Sequence, residues 1–179
     1  MKLSRVSAGL AASVLAYPVA LYIRSQRDRL ALRSVPLTDH TKKEVSEYFR
    51  SVDLDRVRAV ERDPLPVPAP PFRQLARRLG LDFPELSMVA AITLDDVIAS
   101  RGPLAARLLF HELVHVVQFR LLGIHTFSKL YTRGLLSTRS YHRIPLERCA
   151  FELEERFATA NAPFDVESTV AMWIENDLF

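Results

Sequence analysis

The chain has 179 residues, 49% of them hydrophobic and 25% charged, and its 24 basic and 21 acidic side chains leave a formal net charge of +3. That length and balance describe one domain with a core of its own, with an appended segment at most, and they exclude wholesale disorder. They also exclude a nucleic-acid platform, because the basic residues are scattered among Asp and Glu without aromatic interleaving.

Residues 6–23, VSAGLAASVLAYPVALYI, carry no charge over 18 positions and are flanked by basic residues on both sides. The stretch is long enough to span a bilayer, and we expect a single-pass N-terminal membrane anchor. The alternative is a cleaved signal that leaves the protein secreted or periplasmic. A core helix is disfavoured, since the stretch is apolar all round rather than along one stripe. Arg24, Arg27, Arg29 and Arg33 form a basic linker, so residues 1–35 are read as anchor and linker and 36–179 as the functional domain.

Residues 38–51 then predict a short helix capped by Asp39 or Thr41, and residues 52–60 alternate as a strand does. DPLPVPAPP, residues 63–71, has five prolines in nine positions and must be extended. It reads as a rigid connector, with a ligand for a proline-binding module as the alternative. FRQLARRLGL, residues 72–81, is an amphipathic helix stopping at Gly80. Residues 88–100 form two short strands in a hairpin around Asp95 and Asp96. Pro103 opens a helix that runs to about Leu122 and ends at Gly123. A polar connection over 124–143 leads to a helix begun by Pro145 and ended before Pro163. A last helix starts from an Asp165 cap. The lone cysteine, Cys149, cannot form an internal disulfide and reads as a small helical core residue rather than a catalytic thiol.

The chemistry gathers in LLFHELVHVVQF, residues 108–119. His111 and His115 are four apart, so on a helix their imidazoles lie one above the other and can face one point. Two imidazoles so placed suit Zn²⁺, and Glu112 can reach a metal-held water. The surrounding Phe110, Leu113, Val114, Val116 and Val117 imply burial, where two histidines and a glutamate are costly without partners. A third ligand is needed. Glu147 in the first turn of the next helix is favoured, Glu154 on the same face is the fallback, and His125 and His142 are the histidine alternatives. Glu152 points elsewhere, toward solvent.

HELVH followed by PLERCA resembles the zincin metallopeptidases whose third ligand is a glutamate on a later helix. DLDRVRAV, AAITLDDVIAS, LLFHELVHVVQ and LERCAF, in that order over residues 52–155, are similar to the small zincin-like domain of proteins associated with extracellular contractile injection systems. The resemblance implies an α+β zincin-like fold, with a small antiparallel sheet packed on the HExxH helix, two C-terminal helices and a separate N-terminal hydrophobic helix. It implies that His111, His115 and Glu147 bind Zn²⁺ and that Glu112 is the general base. Cys149 and Phe151 stand where the pattern has Glu and Asp, so an acid that would orient a histidine is missing. The hairpin also lacks the pattern's glycine.

The activity expected is zinc-dependent hydrolysis of peptide bonds. Tyr131, Tyr141 and His142 lie between the second and third ligands, and Tyr141 or His142 is the expected oxyanion donor. One strand of the 88–100 hairpin would pair with an extended peptide substrate. The rival expectation is an inactive, membrane-tethered scaffold module with a structural zinc. No nucleic-acid partner is expected.

Overall fold

The computed structural model of the chain describes residues 5–71 and 89–179; the helix expected over 72–81 lies outside them. In chain order the elements are helix α1 (Arg5–Ala31), strand β1 (Val35–Pro36), α2 (Asp39–Val45), β2 (Arg58–Glu61), β3 (Ala91–Leu94) and β4 (Val97–Ser100). Then come α3 (Ala106–Thr138), a 3-10 turn (Tyr141–Arg143), α4 (Pro145–Thr159) and α5 (Val166–Glu175).

β3 and β4 form the expected hairpin. Its missing glycine is replaced by Asp95, which takes the left-handed conformation at φ 63; a short side chain able to bond its own backbone tolerates that region. The sheet order is β1-β2-β4-β3, and β2 runs antiparallel to β1 but parallel to β4. The sheet is therefore mixed, which corrects the antiparallel expectation. Residues 62–90 separate β2 from the hairpin, long enough for the crossover that parallel neighbours require. All four residues of central β4 are buried, as in a strand covered on both faces. The strand expected over 52–60 is confined to 58–61. Val52, Leu54 and Val57 are buried without a ladder, so their alternation came from a turn folded onto the core.

The expected membrane anchor is overturned. Among the described residues no helix is long and apolar enough to cross a membrane. α1 packs instead on α3, β3 and β4, so it is not a separate element. Ala12 and Ala16, one turn apart, are fully buried, and Ala12 meets Leu136 of α3. Small side chains let the two backbones approach, and a stripe of alanines is invisible in a stretch that is apolar throughout. Farther along, Arg27 grips Asp96 in the hairpin turn through two 2.7 Å bonds.

α3 runs past its expected end. Gly123 leaves the helix at φ 72, ψ 157, and the helix then resumes to Thr138, so most of the expected 124–143 connection is helical. Glycine takes that backbone geometry without strain. The continuation is held by packing: Phe127 stacks on Phe119 across the break, with ring centroids 3.7 Å apart. Gly134 allows the start of α4 to pass close by, because a Cβ there would lie 2.9 Å from Pro145 Cδ.

The caps follow local chemistry. Thr38, rather than Asp39 or Thr41, caps α2 by accepting from Thr41 N at 3.2 Å. Pro145 opens α4, and Asp165 caps α5 by accepting from Ser168 N at 3.1 Å. Beneath the sheet, Phe110 of α3 stacks on Phe157 of α4 at 4.4 Å, with Tyr48 and Phe164 edge-on. That aromatic block fixes α3 against α4, the two helices that carry the site.

Candidate metal centre

His111 and His115 project from the first half of α3 and Glu147 from the first turn of α4, as the spacing predicts. Their Nε2 atoms lie 3.5 and 3.4 Å from Glu147 Oε2. Three donors held about 2.1 Å from a shared tetrahedral ion sit about 3.4 Å apart, so these distances are those of a ligand set. The three side chains form a buried group able to hold a metal ion. Their exposures are 5, 6 and 3%, and Glu112 between the histidines is 4% exposed. Glu147 Oε2 is buried without any hydrogen-bond partner. Such an orphaned carboxylate oxygen is costly unless a cation meets it.

The outer nitrogens of both rings are occupied. His115 Nδ1 lies 2.8 Å from Gln118 Oε1, and Gln118 Nε2 donates to Leu146 O at 3.0 Å. Leu146 O can only accept, which places the Gln118 amide nitrogen there and its oxygen toward His115. In the neutral ring Nδ1 then carries the proton and Nε2 turns its lone pair inward. His111 Nδ1 lies 3.1 Å from Glu154 Oε2, with the same consequence, and Arg107 steadies the other Glu154 oxygen at 3.1 Å. Where the resemblance expects an acid, Phe151 packs on the His111 ring at 4.6 Å, and Glu154 one turn later orients that ring. Glu154 therefore lies behind His111, outside the group whose donor atoms converge. Both histidines have the outer partners that metal-binding imidazoles need.

The charges are strongly coupled. Burial disfavours a charged His115, but the facing Glu147 carboxylate outweighs this and raises its pKa to about 9. Burial works against an ionised Glu147 as well, yet His115 and His111 pull its pKa below the usual carboxylate range. Glu112 moves the other way: burial raises its pKa despite the nearby histidines and a hydrogen bond from Thr93. One carboxylate is thereby favoured ionised, while its neighbour holds a proton more readily than an ordinary glutamate.

Tyr131, from the part of α3 beyond Gly123, donates to Glu147 Oε1 at 2.9 Å. Burial, with the Glu147 carboxylate nearby, raises the pKa of Tyr141 far above the phenol range. His142 is exposed and packs 5.3 Å from both Tyr141 and Phe151, at the margin of the cluster. His125 is exposed and outside the metal-binding group, and Glu152 pairs with Arg148 at the surface. Sequence reasoning missed Gln118 and Thr93. Gln118 had a local signal, three residues after His115 on the same helix face. Thr93 had none, because only the packing of β3 over α3 brings it to Glu112.

No protein-family model matches the chain, and no curated protein or solved structure does so either. What can be said of its function rests on this geometry.

Proposed function

We propose that the chain is a zinc-dependent peptidase of the zincin type, hydrolysing peptide bonds with His111, His115 and Glu147 as metal ligands and Glu112 as general base. The observation that carries the reading is the unpartnered, buried Glu147 Oε2 facing two inward Nε2 atoms at 3.4 and 3.5 Å. Two imidazoles and one carboxylate are a catalytic zinc set. When bound, Zn²⁺ supplies Lewis-acid polarisation of a water and of the scissile carbonyl.

The remaining work falls to side chains. Glu112, its proton affinity raised by burial, takes the proton of the attacking water and passes it to the leaving amine. Gln118 and Glu154 keep both imidazoles in the ligating tautomer. Tyr141 is the stronger candidate to donate to the oxyanion, once it turns from Glu147, and His142 at the margin is the second. An extended peptide would pair with β3, the outer strand of the sheet.

A second reading has its own observation. All four site residues are at most 6% exposed, as in a closed structural metal site that staples α3 to α4. Metal analysis of the purified chain, followed by a casein-cleavage assay, separates the two. We expect about one zinc per chain, lost in His111→Ala and Glu147→Ala. Glu112→Gln should keep the zinc and lose about 10²- to 10⁴-fold in turnover. Zinc without cleavage would support the staple, and a folded chain without zinc would sink both readings.

A further inference from the structure

Tyr131 belongs to the part of α3 beyond Gly123, where the sequence predicts a polar connection. Packing holds it there. Phe127 stacks on Phe119 across the break at 3.7 Å, and Tyr131 stacks in turn on Phe127, with ring centroids 5.8 Å apart. Farther along, Gly134 lets the helix abut the start of α4, since a Cβ there would lie 2.9 Å from Pro145 Cδ and 3.0 Å from Ile144 Cγ2. Glu147 stands in the first turn of that same α4. The main chain beside it is tied as well, because Gln118 donates to Leu146 O at 3.0 Å. The Tyr131 phenol and the Glu147 carboxylate are thus brought together by contacts that neither of them makes.

The two oxygens of that carboxylate have different surroundings. Oε1 accepts from the Tyr131 hydroxyl at 2.9 Å. Oε2 has no hydrogen-bond partner, and it is the oxygen that lies 3.4 and 3.5 Å from the two imidazole Nε2 atoms. A carboxylate can offer a cation one oxygen or both, and the number of protein donors decides whether a coordination position stays open. A hydrogen bond to Oε1 draws off its electron density and fixes the plane of the group, which leaves Oε2 the better ligand. Desolvation of the hydroxyl, with the carboxylate beside it, raises the Tyr131 pKa well above the phenol range, so the hydroxyl stays a donor. Tyr131 thereby does for Glu147 what Gln118 and Glu154 do for the two histidines.

We propose that Tyr131 is a positioning residue that confines Glu147 to a single ligating oxygen, Oε2, and so keeps a coordination position open beside three protein donors. This rests on the metal-binding part of the proposed function and deepens it, because an open position is what separates a catalytic centre from a closed staple. Without the phenol, Glu147 is free to turn both oxygens toward the ion and fill that position.

The test uses the full chain loaded with Co²⁺ as a spectroscopic probe, beside a zinc competition assay against a chelator. Four-coordinate Co²⁺ absorbs visible light more strongly than five-coordinate Co²⁺, so the absorption per bound ion reads the change directly. Tyr131→Phe deletes one oxygen and keeps the ring that stacks on Phe127. Wild type should give the strong four-coordinate spectrum. Tyr131→Phe should still bind about one ion per chain but give the weaker five-coordinate spectrum, and its zinc affinity should fall about 10- to 100-fold. A wild-type spectrum in Tyr131→Phe overturns the proposal even where affinity falls, because the phenol is then a packing support alone. A five-coordinate wild type overturns it too, and X-ray absorption on the zinc-loaded wild type makes that check if Tyr131→Phe does not fold. A wild type that binds neither ion overturns it together with the proposed function. Casein cleavage is read separately. The expected spectra in a chain that cleaves nothing keep the role of Tyr131 and remove the peptidase. Cleavage with identical spectra in both chains removes the role of Tyr131 and keeps the peptidase.

Discussion

Two helical stretches of this protein are almost wholly apolar, and they end in opposite environments. In α3, Leu109 through Phe119 are buried without interruption. In α1, Ala12 and Ala16 are buried while Leu10, Val14, Tyr17 and Leu21, at 49–71% exposure, line the opposite side. The difference lies in the neighbours. α3 is enclosed by the sheet, α1 and α4, so every side of it must be apolar or internally satisfied. α1 meets the rest of the fold along one stripe. Uniform apolarity thus shows that a segment avoids water along its length, and not which side finds a partner. The informative residues are the histidines and the glutamate inside the apolar run, and only α3 has such groups.

The comparison breaks hardest where α3 is fully enclosed. Leu113→Ala should cost about 2–5 kcal/mol, because the tightly packed surroundings cannot collapse into the space, and a denaturant titration reads it directly. A loss below about 1 kcal/mol would mean that α3 is less enclosed than its burial implies.

Next in size is the polar support. Gln118→Leu removes the partner of the His115 Nδ1–H and the side-chain bond to Leu146 O while roughly conserving volume. Metal affinity should fall about 10- to 100-fold in a competition assay against a chelator. An unchanged affinity would mean that the His115 tautomer is set by something other than Gln118.

The coupled charges give a pH signature. His115 in the metal-free protein has its pKa raised to about 9. Its charged form therefore stabilises the fold fully below about pH 6.5, its ordinary value, and that contribution is lost as the pH rises through 9. Metal must displace the same proton, so apparent affinity should climb by up to about tenfold per pH unit until about pH 9 and then level off. Calorimetric titrations across that range check the slope, and a flat profile would place the proton elsewhere.

The smallest effect belongs to the exposed side of α1. Leu10→Ser or Val14→Ser should change stability by no more than about 0.5 kcal/mol, whereas Ala16→Leu, facing α3, should cost about 1–3 kcal/mol by overpacking. Parallel thermal melts compare the two sides, and equal losses would erase the distinction drawn between them.

The sequence by itself determined the elements whose causes are local. The hairpin at Asp95–Asp96, the Pro145 and Asp165 helix starts and the His111–His115 pair were legible there, with Glu147 the favoured of four candidates to join that pair. An i, i+4 pair in an apolar helix, and a glutamate in the first turn of the next one, need no tertiary information to be placed. What lies beyond a local break was not legible: Gly123 read as a stop, yet the helix resumes because Phe127 finds Phe119 and Tyr131 finds Glu147. Tertiary structure alone decided that α1 packs on α3, that β2 lies parallel to β4, that Glu154 reaches His111, and that Thr93 meets Glu112. Each of these pairs groups far apart in the chain, whose meeting depends on which surfaces remain to be covered once the local elements have formed. Periodicity and capping act within a few residues; burial and hydrogen-bond satisfaction act across the whole core, and they placed the groups that surround the metal-binding residues.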